Sequence, residues 1–92
     1  MRNIIALAAA IAAVLLATTD ARAGSLGRPC TAAPQGQYLT APQLQEKAEA
    51  LGYKVSRVKI AKACGEIYAF DKDGTKVELF VDPTNGTIVG KN

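Results

Sequence analysis

Histidine and tryptophan are absent from the 92 residues, and the single methionine is Met1. Without imidazole or an internal thioether, a histidine-based catalytic triad, an imidazole zinc site and a His/Met haem pocket are all excluded. Cysteine is reduced to Cys30 and Cys64, far from the C-x-x-C spacing of a redox pair. Aromatics make up 5% of the chain, three Tyr and two Phe. Charge of one sign is lacking too. Beyond residue 23 nine Lys and Arg stand against seven acids, a net of +2 that is too near balance for a field-driven nucleic-acid binder. Catalysis would rest on carboxylates alone, and no motif pairs them. The sequence therefore reads as non-enzymatic, with no catalytic, cofactor-binding or metal-binding residues.

What is present is unevenly placed. The hydrophobic 49% is concentrated in the first 23 residues, so the mean hydropathy of +0.09 averages an apolar leader with an ordinary soluble domain. Met1-Arg2-Asn3 gives a positive start, Ile4 to Ala17 is uncharged and apolar, and Ala21-Arg22-Ala23 presents an A-x-A cleavage signal. Those apolar residues would span about 21 Å as a helix, short of the roughly 30 Å hydrocarbon core. Residues 1–23 therefore read as a cleaved signal peptide, with no membrane span after cleavage before Gly24. A periplasmic or secreted location follows.

Export gives the cysteines a meaning. Two in an oxidising compartment read as one disulfide, Cys30 to Cys64. Closing a loop of that length stabilises by roughly 4 kcal/mol in the chain-entropy treatment, a large margin for so small a domain.

Residues 24–38, rich in Gly, Pro, Ala, Gln and Ser, read as an extended arm, and 39–92 as the folded domain. Thr40 and Gln43 form a T-x-x-Q capping box, with Leu39 and Leu44 spaced as a hydrophobic staple. Leu44, Ala48 and Leu51 then share a face, and Gly52 supplies the stop, so a helix is expected from about Ala41 to Leu51. Strand signals follow: Tyr53 to Lys62 with a break in alternation near Ser56, Glu66 to Asp71, Thr75 to Asp82, and Thr87 to Val89. Turns are expected at Asp71-Lys72-Asp73-Gly74 and Asp82-Pro83-Thr84-Asn85-Gly86. In the first of these Gly is fourth, where a calcium-binding EF-hand loop needs it sixth. The expected fold is α+β: one N-terminal helix packed on an antiparallel meander of three to four strands.

One helix covers one sheet face. If Val77, Leu79 and Val81 face it with Ile67 and Ala69, then Tyr68, Phe70 and Phe80 gather on the other side as a candidate partner surface. The disulfide could draw the arm across that patch. The basic run Lys54, Arg57, Lys59, Lys62 reads as a solvated strand.

The stretch from about Thr40 to Val89 resembles the PepSY domain, a small α+β module also found in propeptides of thermolysin-like metallopeptidases. The resemblance rests on Ala48-Glu49-Ala50-Leu51-Gly52-Tyr53-Lys54-Val55, Glu66-Ile67-Tyr68-Ala69, Asp71-Lys72-Asp73-Gly74-Thr75-Lys76-Val77-Glu78 and Val81-Asp82-Pro83-Thr84-Asn85-Gly86-Thr87-Ile88-Val89. One departure is Gly65, where an aromatic is expected. The resemblance implies an exported binding and regulatory domain that modulates or inhibits a peptidase or another envelope protein, and it brings no catalytic residues. The alternative is a structural module that homodimerises through Tyr68, Phe70 and Phe80.

Overall fold

The capping box sets the start of the helix. Thr40 Oγ1 accepts from the Gln43 N–H at 3.3 Å, and Gln43 Oε1 accepts from the Thr40 N–H at 2.9 Å. Helix α1 then runs Ala41–Ala50 and presents Leu44 and Ala48 inward. Leu51 caps it and stands 62% exposed, so the apolar stripe ends at Ala48, one turn earlier than expected. Gly52 at φ +100° turns the chain into the sheet. These coordinates come from a computed structural model that describes residues 26–92; the leader and its cleavage point lie outside the described residues.

Strands β1 (Lys54–Ala61), β2 (Cys64–Phe70), β3 (Lys76–Val81) and β4 (Ile88–Lys91) pair antiparallel in the order β1-β2-β3-β4. The fold is therefore α+β, one helix on a four-stranded meander. The break near Ser56 is a bulge: the register shifts between Val55 and Arg57, and Ser56 Oγ donates to the Tyr68 carbonyl at 3.0 Å. Because of it, Val55 and Val58 both pack toward the helix although three residues apart.

Burial and register together divide the sheet's two faces. Leu44 and Ala48 close on Ile67, Ala69, Leu79 and Val81, with Leu39, Tyr53, Val55, Val58, Val77 and Ile88 around them. Gly65 belongs to this core face. A β-carbon there would sit 2.7 Å from Val81 Cγ2 and 3.0 Å from Leu44 Cδ1, so the helix occupies the space an aromatic would need.

The turns hold by side-chain acceptors. Asp71 Oδ1 takes the N–H groups of Asp73 and Thr75, both at 2.9 Å, while Gly74 adopts φ +82°. Asp82 Oδ1 accepts from the Thr84 N–H and hydroxyl at 2.9 and 2.7 Å. The buried Pro83 offers its carbonyl to the Leu39 N–H at 2.7 Å, tying the last turn to the residue before the helix. The β1–β2 turn is different in kind. Lys62 and Ala63 both take positive φ, 54° and 64°, in a two-residue loop where Asn-Gly is the usual choice.

Gly65→Ala should lower stability by about 1–3 kcal/mol, because the added methyl has nowhere to go between Val81 and Leu44. Chemical denaturation reads this directly, and an unchanged midpoint would contradict the packing described.

Candidate functional site

Among the described residues the helix leaves the second sheet face bare, and alternation decides what stands there. Register sets three rows across it: Lys59, Glu66 and Phe80; Arg57, Tyr68 and Glu78; Lys54, Phe70 and Lys76. The three aromatics expected to gather on this side do share it. Their surroundings differ sharply.

The first row lies under the arm. Cys30 is bonded to Cys64, and the Cys30 N–H donates to the Ala63 carbonyl at 3.2 Å. The disulfide thus fixes the arm at the strained Lys62-Ala63 turn. Phe80 faces Gly90 of β4, and the missing side chain at Gly90 makes room for Leu26. A β-carbon on Gly90 would lie 2.5 Å from Leu26 Cδ1 and 3.6 Å from Phe80 Cδ2. Phe80 is consequently only 2% exposed. Of the candidate partner surface it is the residue in no position to meet a partner while the arm is seated. The arm itself is not wholly extended, since Gln35–Gln37 form a 3-10 turn before the helix.

The other two rows lie beyond the arm. Phe70 is 36% exposed and Tyr68 half-buried, with the Arg57 guanidinium carbon 5.9 Å from the Tyr68 ring centre. A cleft of about 280 Å³ opens here, lined by Ser56, Tyr68, Phe70, Lys76, Glu78 and Asn92. A second cleft of about 280 Å³ lies beside the arm, between Leu26, Arg28 and Pro29 and the β1–β2 hairpin.

Two carboxylates are embedded in this face. Glu66 is 2% and Glu78 5% exposed, and one oxygen of each, Glu66 Oε1 and Glu78 Oε2, lacks a hydrogen-bond partner. Lys59 Nζ stands 3.7 Å from Glu66 Oε1, near the outer limit of an ion pair and with its own side chain largely in water. Buried acids held this loosely do not add stability. They match no catalytic pattern either. Among the described residues no group of three or more His, Cys, Asp or Glu could hold a metal, and no helix is long and apolar enough to cross a membrane.

Sequence reasoning found the aromatics and the disulfide but missed Leu26 and Gly90, which decide how far the face is closed. The last strand, expected to end at Val89, runs on to Lys91, which puts Gly90 inside it; a glycine there is a signal of close approach by another segment, but only once the strand's true end is known.

The family model described as peptidase propeptide and YPEB domain matches residues 6–92. No curated protein and no solved structure matches the chain.

Gly90→Val should push Leu26 off Phe80 while leaving the disulfide formed. The expected result is stronger binding of a hydrophobic dye and a loss of about 1–3 kcal/mol on denaturation, with no free thiols. Unchanged dye binding and stability would mean that Leu26 does not roof Phe80.

Proposed function

Starting from the fact that the chain belongs to the PepSY family of peptidase propeptide and YPEB domains, we propose that it is an exported, non-enzymatic binding domain that modulates or inhibits a peptidase. It works in the periplasm or outside the cell, after loss of residues 1–23. The docking surface is the part of the second sheet face beyond the arm, centred on Tyr68 and Phe70.

One observation carries this reading: a sheet face with an exposed phenylalanine that the helix does not reach and the arm covers only in part. An amphipathic aromatic surface beside a formed apolar cleft with a few polar groups is the combination that binding sites use. The sheet beneath it is packed against the helix on its other face and tied by the disulfide at the β1–β2 turn. Recognition by a preformed surface of this kind avoids the ordering cost that a flexible loop would carry.

The homodimer reading is less well supported. A second copy docked face to face would set two surfaces whose exposed charges, Lys54, Arg57, Lys59 and Lys76, are all positive against each other, a like-charge arrangement that disfavours association.

The test is inhibition of a thermolysin-like metallopeptidase by the oxidised protein beginning at Gly24, with Phe70→Ser alongside and light scattering on both. Inhibition that Phe70→Ser weakens at least tenfold, with both proteins monomeric, supports the proposal. A dimer that Phe70→Ser dissociates, with no effect on the peptidase, replaces it with the assembly role.

A further inference from the structure

The basic run of β1 acquires a use once its neighbours are known. Lys54, Arg57 and Lys59 project on the same face as the aromatic cleft, and Lys76 joins them from β3 across Phe70. All four cations are exposed, whereas the two acids of this face are buried. The charge a partner meets is therefore positive, although the chain as a whole is close to balance. Lys59 is engaged with Glu66, while Lys54, Arg57 and Lys76 form no ion pair among the described residues. Three unbridged cations thus share a face with one apolar cleft: Lys76 lines it, and Lys54 and Arg57 stand opposite Phe70 and Tyr68 of its wall.

Resting on the docking reading above, we infer that the partner presents an acidic segment with one aromatic or large aliphatic side chain, which enters the cleft beside Tyr68 and Phe70 while its carboxylates meet Lys54, Arg57 and Lys76. The cleft, at about 280 Å³, is of a size to take one such side chain. It falls just below the roughly 300–1,000 Å³ found for small-molecule sites, which suits a single side chain better than a whole ligand. Tyr68 and Phe70 supply the apolar walls. The cations stand at the rim, where charge steers encounter and fixes register more than it adds affinity.

Nucleic acid fits less well. A backbone-tracking site needs a longer run of cations than the three on this face.

The test uses a fluorescein-labelled peptide of glutamates with one central phenylalanine, titrated into the oxidised protein by fluorescence anisotropy. Three controls accompany it: glutamine for every glutamate, glycine for the phenylalanine, and a single-stranded oligodeoxynucleotide. The acidic aromatic peptide should bind at least tenfold more tightly than any control, and more weakly as salt rises. Each exposed ion pair is worth a factor of about two to five. The triple variant Lys54→Gln, Arg57→Gln, Lys76→Gln should therefore lose about tenfold or more, and Phe70→Ser a comparable amount.

Equal binding of the glutamate and glutamine peptides, or tighter binding of the oligonucleotide, overturns the inference. Sensitivity to Phe70→Ser without sensitivity to the triple variant leaves the docking face standing and removes its acidic partner. Insensitivity to both removes the face as well. Circular dichroism of each variant, expected to match the parent, separates loss of binding from loss of fold.

Discussion

A four-stranded sheet has two faces, and this chain has one helix to cover them. The Cys30–Cys64 disulfide is the constraint on which the remainder depends, because it ties the arm back to the uncovered side. The clasp and the Cys30 N–H to Ala63 hydrogen bond both act at the β1–β2 turn, where Lys62 and Ala63 hold left-handed backbone conformations. Each such residue costs about 1–2 kcal/mol without glycine. A cross-link worth roughly 4 kcal/mol in the chain-entropy treatment is of the right size to hold that turn and the arm together.

The reach of the arm then determines what the face can do. Leu26 seats against Gly90 and closes Phe80, so the aromatic cluster is divided into a covered third and an open remainder. Charge follows the same division by depth. Glu66 and Glu78 lie buried in the sheet, while Lys54, Arg57 and Lys76 stand above it in water. Buried acids with unpartnered oxygens are a poor way to gain stability, and apolar residues of similar volume would fill the same space at less cost.

Much of the fold was legible because it is written in local chemistry. The Thr40/Gln43 box, the Asp71 to Gly74 turn, the clean alternation of Lys76 to Val81 and the break at Ser56 each follow from neighbours within a few residues. The exceptions depend on contacts distant in sequence. Lys62-Ala63 carries no turn signature, since what stabilises its conformation is a bond to residue 30. Leu51 continues the helical apolar spacing, yet the chain leaves the helix there and its side chain stands in solvent. Gly65 looked like a departure from a family pattern and proves to be a packing requirement set by Leu44 and Val81. Of the candidate surface, the sequence could place Tyr68, Phe70 and Phe80 on one face by counting in twos. It could not show that Leu26 would reach Phe80, because neither Leu26 nor Gly90 carries any periodic signal.

The central claim is that the disulfide-held arm closes Phe80 and leaves Tyr68 and Phe70 open. Hydroxyl-radical footprinting of the oxidised and reduced protein, read by mass spectrometry at those three rings, tests it most directly. The account predicts that Phe80 is protected in the oxidised form and becomes labelled on reduction, while Tyr68 and Phe70 are labelled in both. Labelling of Phe80 in the oxidised protein, or protection of all three rings until the bond is reduced, would contradict it.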